Sequence, residues 1–387
     1  MSLPTNPAEN LASLIRCPSV TPAEGGALTA LEAMLEPMGF SIQRPVFTDE
    51  DTPDIENLYA RKSGNGAHLM FAGHTDVVPP GNEGDWKHPP FSAAIEDGIM
   101  YGRGAVDMKG GIACFVAAVA RHIEKQGSLK GSVSFLITGD EEGPAINGTE
   151  KLLQWAKDRG ETWDASLVGE PTNPDTLGDM IKIGRRGSIS GTITVHGVQG
   201  HAAYPQQADN PIHRLLRALH SLTATPLDAG TQWFEPSTLQ VTSVDVGNAA
   251  TNVIPATARA RLNIRFNDLH TSASLGERIR AALEEAGARH DLDLSCSGES
   301  FLTQPGPFAQ ALLAAIRRVT GVEAALDTGG GTSDARFIAR YCPVAELGAV
   351  GATMHKADES TPVEELRRLA RLYAEVIVSL LRKEPSA

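Results

Sequence analysis

The sequence has few cysteines, and their spacing follows no known pattern. Only four of the 387 residues are cysteine, and no two of them form a CxxC pair. A disulfide framework or a thiolate zinc site would need several cysteines at characteristic short spacings. We therefore interpret each of them as a small core residue: Cys17, Cys114, Cys296 and Cys342.

Long hydrophobic runs are also lacking. The longest, from Ile112 to Ala120, is far shorter than the roughly 20 residues that span a bilayer. The first residues include Asn, Glu and Pro, where a signal peptide would have a basic start and a continuous apolar core. The sequence therefore predicts a cytoplasmic protein that does not associate with a membrane.

Positive charge is scarce relative to negative charge. Lys and Arg number 34 against 47 Asp and Glu, which gives a net charge of −13. Because nucleic-acid binding needs clustered basic residues, we expect no nucleic-acid partner. A small anionic substrate stays compatible with this balance.

Hydrophobic residues at 41% and charged residues at 21% are ordinary for a globular protein, and 387 residues are enough for two domains.

One stretch combines a buried strand with metal-binding side chains. The apolar run that includes Leu69 and Phe71 leads directly into His74-Thr75-Asp76. Residues two apart on a strand point the same way, so His74 and Asp76 leave the strand end on one face. A carboxylate beside a ligating histidine commonly fixes the orientation of its ring. The pair indicates a metal site, although a bare His-x-Asp is not specific by itself.

Further acids follow other predicted strands and precede a predicted helix. Asp107 stands at the start of a helix predicted for residues 108–126, Glu141 and Glu142 follow a strand at 132–138, and Glu170 follows a strand at 165–168. The glycines near Asp107 match neither a Walker loop nor GxGxxG. Alternating strands and helices predict a mostly parallel α/β sheet with these acids at one edge. The alternative for residues 140–142 is a solvated acidic turn.

After about residue 186 the pattern changes. Residues 188–196 and 256–266 alternate between apolar and polar side chains, which predicts antiparallel strands with one solvated face. With helices at 211–222 and 275–286, the order is βαββαβ, typical of a ferredoxin-like domain. We predict a discontinuous catalytic domain at 1–186 and 298–387, and an inserted domain at 187–297. An exposed sheet edge in the insert favours a homodimer.

A second candidate histidine, His355, lies in a polar loop near the carboxyl terminus. The candidate ligands are therefore one or two histidines and several acids. This hard, oxygen-rich set suits Zn²⁺, Mn²⁺ or Co²⁺. Two such ions held roughly 3.5–4 Å apart could activate a water molecule and stabilise an oxyanion. That chemistry also needs one uncoordinated carboxylate as a base.

These segments resemble, in order along the chain, the five signature segments of the co-catalytic dinuclear-metal peptidase and deacylase family (M20-like). The resemblance is carried by residues 74–76, 102–110, 140–143, 169–171 and His355. It implies a zinc-aminopeptidase-like catalytic domain with an inserted lid and dimerisation domain. It also implies two divalent ions per subunit, most often zinc, with cobalt or manganese as alternatives.

The resemblance also assigns roles. Asp107 would bridge both ions, His74 and Glu170 would bind one of them, and Glu142 and His355 would bind the other. Asp76 would orient His74, and Glu141 would be the general base.

Other segments resemble the branch of the family that removes succinate from an acylated amino acid. They are residues 183–188, 198–205, 210–213, 251–255 and 329–337. The branch typically has two adjacent asparagines before Val-Ile-Pro, whereas here the first is Thr251. The resemblance implies that His201 of the partner subunit donates to the oxyanion. It further implies substrate contacts from Arg185, Tyr204, Asn252, Arg265, Gly331, Thr332 and Ser333. The alternatives are a related deacylase, such as one acting on acetylornithine, and an inactive homologue acting as a binding or scaffold protein.

Overall fold

The computed structural model describes residues 2–381, which form nine α-helices and 21 β-strands. The helices are α1 (Pro7–Ile15), α2 (Ala27–Leu35), α3 (Lys109–Gln126), α4 (Thr149–Lys157), α5 (Pro211–Thr223), α6 (Ser272–Glu285), α7 (Pro307–Thr320), α8 (Ala335–Ile338) and α9 (Val363–Leu381). The strands are β1 (Ser41–Gln43), β2 (Val46–Asp49), β3 (Thr52–Glu56), β4 (Leu58–Lys62), β5 (His68–His74), β6 (Ala94–Glu96), β7 (Ile99–Tyr101), β8 (Ser132–Thr138), β9 (Ala165–Val168), β10 (Met180–Lys182), β11 (Gly184–Arg185), β12 (Gly187–His196), β13 (Gly200–His201), β14 (Thr238–Asp245), β15 (Val253–Ile254), β16 (Thr257–Phe266), β17 (Arg289–Gly298), β18 (Phe301–Leu302), β19 (Ala325–Asp327), β20 (Val344–Glu346) and β21 (Ser360–Pro362).

The chain divides into two compact units. The first comprises residues 1–183, 303–327 and 333–387, and the second comprises 184–302 and 328–332. The division lies within a few residues of the boundaries predicted from sequence at 186/187 and 297/298. The structure additionally assigns the glycine-rich segment 328–332 to the second unit.

The first unit is built on an eight-stranded mixed sheet in the order β1-β4-β8-β5-β9-β20-β10-β19. Its centre, β8-β5-β9-β20, is parallel, whereas β4 pairs antiparallel with β8 and β10 pairs antiparallel with β20. Every residue of β5 is buried, as expected for a parallel strand covered on both faces. The predicted mostly parallel α/β architecture is confirmed.

An aromatic cluster fixes the helices to this sheet. Phe71 of β5 stacks on Phe115 of α3 with ring centroids 4.3 Å apart, and Phe135 and Tyr373 pack edge-on against Phe115. The buried hydroxyl of Tyr373, on α9, donates to the carbonyl oxygen of Leu347 at 2.6 Å. A buried phenol needs such an acceptor. The cluster therefore holds α3 and α9 against the strands that end at the candidate site.

The second unit contains a four-stranded antiparallel sheet in the order β14-β16-β12-β17. Helices α5 and α6 pack on it, and Ile193, Leu215 and Leu262 belong to the shared core. The connection order is βαββαβ, which confirms the ferredoxin-like fold. The unit begins and ends side by side, because β11 pairs antiparallel with β18 through Gly184↔Leu302 and Arg185↔Phe301.

Several short elements differ from the sequence prediction. We predict a single strand over residues 41–47 from their apolar and β-branched side chains, but the structure splits it into β1 and β2 at Arg44-Pro45, where proline cannot donate a ladder hydrogen bond. The segment before Asp107 contains β6 and β7, which pair with each other, and β7 also pairs with β21. Strands β10 and β19 have only three residues each, too few to show a period. Within residues 2–381, no helix is both long and apolar enough to cross a membrane.

Candidate metal centre

Three neighbouring parallel strands and one helix carry four of the five predicted ligands, and the fifth, His355, lies on the loop between β20 and β21. His74 is the last residue of β5, Glu142 follows β8, and Glu170 lies two residues beyond β9. Asp107 stands immediately before the first turn of α3. The carboxyl ends of parallel strands meet at one edge, which brings these side chains together.

Glycine permits the close approach of α3 to this edge. A Cβ on Gly111, in the first turn of α3, would lie 2.4 Å from the carbonyl oxygen of Gly169. Since real Cβ atoms do not approach a backbone oxygen so closely, a larger residue would push α3 away from the loop that carries Glu170. Gly111 therefore serves the packing of α3 against this loop.

Asp107 lies at the centre of the arrangement. Its Oδ1 is 3.2 Å from His74 Nε2, and its Oδ2 is 3.1 Å from His355 Nε2. His74 Nε2 also lies 3.5 Å from Glu170 Oε1, and His355 Nε2 lies 3.0 Å from Glu142 Oε1. One carboxylate is therefore shared between two half-sites, each completed by one imidazole and one further acid.

The donor chemistry fits a pair of divalent cations. His74, Asp107 and Glu170 offer ligand atoms within 4.8 Å of one another, as do Asp107, Glu142 and His355. Imidazole nitrogens with carboxylate oxygens suit Zn²⁺, Mn²⁺ or Co²⁺. His74, Glu141 and Glu142 form a third group of the same kind, so geometry alone leaves Glu141 within reach of an ion.

The shifted pKa values of the site also favour bound cations. Burial and the neighbouring charge of Asp107 raise the pKa of Glu170 to about 7. Hydrogen bonds to Asp107 and Glu142 raise the pKa of His355 to about 10. Carboxylates crowded in a buried site favour any positive charge placed among them. A pair of divalent cations would supply that charge.

Glu141 lies in the same cluster, and its surroundings also shift its pKa. Burial raises the pKa of its carboxyl well above the usual range, and the charges of Glu170 and Asp334 add to the effect, although His74 opposes it. A carboxylate with a raised pKa is a better proton acceptor. This is the property required of a general base.

Asp76 lies beside His74 and also contacts the acidic turn. The acceptor nearest to His74 Nδ1 is the backbone carbonyl of Asp76, at 2.9 Å, whereas the carboxylate is 3.6 Å away. That carboxylate instead accepts from the hydroxyl of Thr21 at 2.7 Å and from the backbone N–H groups of Glu141 and Glu142 at 3.3 and 3.1 Å. Asp76 thus holds the backbone of the acidic turn, and the carbonyl sets the tautomer of His74.

Asp140 and Lys109 are two buried polar residues that sequence reasoning did not single out. The Oδ2 atom of Asp140 accepts from the backbone N–H groups of Ile146 and Asn147, both at 2.9 Å, and so closes the turn after Glu142. Lys109 is fully buried and donates to the carbonyl oxygen of Cys17 at 2.8 Å. Burial lowers the pKa of Lys109 to about 8. The sequence signal for both was adjacency to the predicted ligands.

In the second unit the structure brings His201, Tyr204 and Asn252 together. His201 pairs with Val253 in the two-residue ribbon β13-β15, the carbonyl of Asn252 accepts from Ala202 N–H at 2.8 Å, and the rings of His201 and Tyr204 are 5.6 Å apart. The N–H of Ala203 donates to His201 Nδ1 at 3.0 Å. A neutral His201 ring therefore carries its proton on Nε2.

The remaining predicted contacts are divided between the two units. Arg185 donates from Nη1 to the carbonyl of Gly329 at 3.1 Å, in the same unit as Gly331 and Thr332. Arg265 is on β16, between Ser188 and Thr238 of the neighbouring strands. Ser333 belongs to the first unit, where its buried hydroxyl donates to Glu346.

A pair of acid-and-histidine half-sites at the edge of a mixed α/β sheet, with an inserted ferredoxin-like unit, defines a class of metal-dependent hydrolases. The family model for peptidase family M20/M25/M40 matches residues 70–379, so the chain belongs to this family.

Solved structures share the fold along nearly the whole chain. Aminopeptidase PepT from Bacillus cereus is 21% identical, with a TM-score of 0.76 over 98% of this chain and 99% of that one. The M20 family metallo-carboxypeptidase Sso-CP2 from Sulfolobus solfataricus is 17% identical, with a TM-score of 0.73 over 97% and 99%. The YXEP protein of Bacillus subtilis, a dinuclear metal binding peptidase, is 17% identical, with a TM-score of 0.70 over 97% and 98%.

The crowded carboxylates predict that divalent ions stabilise the fold. An ion that binds only the folded state at a free concentration of 100 times its Kd adds about 2.7 kcal/mol to the free energy of unfolding. We expect the melting temperature of protein treated with a chelator to rise on addition of Zn²⁺ or Co²⁺, as measured by calorimetry. The rise should be smaller in His355→Ala. A melting temperature that does not respond to either ion would contradict the candidate metal centre.

Proposed function

We propose that the protein is a dinuclear metal-dependent desuccinylase. It would hydrolyse N-succinyl-LL-2,6-diaminoheptanedioate to succinate and LL-2,6-diaminoheptanedioate, a step in lysine and diaminopimelate biosynthesis. The observation that carries the hydrolytic part is Asp107 shared between His74 and His355, with Glu141 beside them. The acyl specificity is supported by the sequence segments around Arg185, His201 and residues 329–337.

The distances support the ligand assignment that the family resemblance implies. His74 and Glu170 would bind one ion, Glu142 and His355 the other, and Asp107 both. Zinc is the proposed metal, with cobalt or manganese as alternatives. When bound, such ions lower the pKa of water to about 7 and polarise the scissile carbonyl.

Glu141 would act first as the general base and then as the general acid of the reaction. Its carboxylate takes a proton from the attacking water, whose oxygen then forms the new bond to the amide carbon. As the carbon–nitrogen bond breaks, Glu141 gives that proton to the leaving amine. The buried position that raises the pKa of Glu141 favours the first step, because it makes the carboxylate a better proton acceptor.

His201 would stabilise the oxyanion as a donor. Because Nδ1 already accepts from Ala203 N–H, the free Nε2–H can point at a developing negative charge. We propose that this donor comes from the partner subunit of a homodimer, since the second unit has sheet edges available for pairing. A single oxyanion donor of this kind contributes roughly 10²–10³ in rate.

The substrate carries several carboxylates, which an acidic protein binds only with local cations. Arg185 and Arg265 would each bind one carboxylate, since guanidinium groups bind them bidentately. The pocket would be completed by Tyr204, Asn252, Gly331, Thr332 and Ser333. Thr251, which replaces the usual first asparagine, would alter one of these contacts.

Replacing Glu141 tests the general base. We expect Glu141→Gln to lose at least 10²-fold in kcat while retaining two ions per chain, because the amide cannot accept the proton. Turnover and the metal content of the purified protein are the two measurements. Glu124→Gln, at an exposed position of α3, is the control. Loss of an ion from Glu141→Gln would instead identify Glu141 as a ligand, and unchanged turnover would refute the base assignment.

A substrate panel tests the specificity. Protein reconstituted with Zn²⁺ or Co²⁺ should show a kcat/KM for N-succinyl-LL-2,6-diaminoheptanedioate at least 10²-fold above that for N-acetylornithine, because unpaired carboxylate-binding groups penalise the wrong substrate. A higher value for N-acetylornithine would reassign the protein to the related deacylases. Absence of any turnover, with metal bound, would favour a binding or scaffold protein.

Replacing His201 tests the oxyanion donor and the dimer together. His201→Ala should lower kcat roughly 10²–10³-fold with little change in KM, whereas His213→Ala, on the exposed face of α5 in the same unit, should not. Sedimentation of the wild-type protein should show a dimer at micromolar concentration. Full kcat in His201→Ala would remove this residue from the mechanism, and a monomer would remove the partner.

A further inference from the structure

Beside the candidate metal centre lies a buried ion pair that no part of the proposed mechanism uses. Arg103 Nη1 is 2.7 Å from Glu359 Oε2, and the two side chains are 3% and 0% exposed. Removing two charges from water is unfavourable unless each makes several further hydrogen bonds. The further hydrogen bonds of the pair therefore show which backbone segments it positions.

Glu359 binds the backbone that carries the shared ligand. Its Oε1 accepts from the N–H of Val106 at 2.8 Å and from the N–H of Asp107 at 3.2 Å. The carbonyl oxygen of Glu359 accepts from Gly102 N–H at 2.8 Å. Through these three bonds, Glu359 fixes both ends of the segment that ends in Asp107.

Arg103 binds the backbone next to the exposed ligand. Its Nη1 also donates to the carbonyl of Lys356, the residue after His355, at 3.2 Å. The guanidinium carbon lies 5.1 Å from the ring centre of Trp86, whose indole N–H donates to Pro80. Arg103 is thus clamped on one side and reaches the His355 loop on the other.

His355 needs this restraint more than the other ligands do. Its φ of +62° lies in the left-handed region, which is uncommon for a residue with a Cβ. Its side chain is 46% exposed, whereas that of His74 is 1% exposed and sits at the end of a buried strand. The loop is otherwise closed by Thr353, whose hydroxyl donates to the Ser360 carbonyl and accepts from the Ser360 N–H.

We infer that Arg103 and Glu359 are positioning residues that set the distance between Asp107 and His355 and so maintain the half-site formed by Asp107, Glu142 and His355. This inference rests on the ligand roles proposed above. The half-site of His74 and Glu170 depends on the pair less, because β5 and β9 hold both of its other ligands. Loss of the pair should therefore weaken one ion more than the other.

Stepwise metal titration tests the inference. Metal-free Glu359→Gln is titrated with Zn²⁺ in a calorimeter beside the wild type, after circular dichroism has shown that both are folded. We expect the first ion to bind with nearly wild-type affinity and the second to bind 10–100-fold more weakly, the range for residues that orient metal ligands. Arg103→Lys, which keeps the charge but not the forked geometry, should show the same pattern and serves if Glu359→Gln is unstable.

The controls separate positioning from general stabilisation. Glu161→Gln disrupts the Arg61–Glu161 pair, which has the same 2.7 Å separation but lies on other elements, and should leave both affinities unchanged. Lower melting temperatures with unaltered binding of both ions in Glu359→Gln and Arg103→Lys would overturn the inference. If His355→Ala binds both ions like the wild type, the ligand assignment itself fails, and the inference fails with it.

Discussion

Repulsion between buried carboxylates is the constraint on which the rest of the structure depends. Two like charges about 4 Å apart repel by about 4 kcal/mol at an effective dielectric constant near 20. Asp107, Glu141, Glu142 and Glu170 crowd into one site, whereas the net stability of a folded domain is only about 5–15 kcal/mol. Four acids in such a place favour cations among them, and without cations burial raises the pKa of Glu141 and Glu170. The fold has to hold that arrangement ready, because the acids alone would drive it apart.

The ligands are held in two different ways. His74 and Glu170 follow strands at the centre of the sheet, which are fixed by the ladder and by the aromatic cluster around Phe71. Glu142 and His355 lie on turns. Asp76 and Asp140 accept backbone N–H groups of the turn that carries Glu142. Glu359 accepts from the N–H of Asp107, and its partner Arg103 donates to the carbonyl of Lys356, next to His355. Hydrogen bonds on loops thus hold the half-site of Glu142 and His355, whereas sheet packing holds the half-site of His74 and Glu170.

The sequence predicts the outline of the fold and the identity of the clustered side chains. Strand periodicity locates β5, β8 and β9, and the acids at their ends converge because parallel strands end at one edge. What could not be predicted depends on contacts distant in sequence. Thr21 lies 55 residues from Asp76, and Arg103 lies 256 residues from Glu359, so no local pattern links either pair. The choice of the Asp76 carbonyl over its carboxylate is likewise a matter of backbone geometry that residue types do not encode.

The pairing of β11 with β18 means that the polypeptide enters and leaves the smaller unit at a single point. All four strands of its sheet lie within residues 187–298, so the sheet can be complete before the ribosome has delivered β20 and α9. The larger unit must wait, because its sheet needs β20 beside β9 across an interruption of more than a hundred residues. During synthesis, the smaller unit is therefore able to fold first. Its adjacent ends keep the two parts of the larger unit's chain close together, so that their strands can pair.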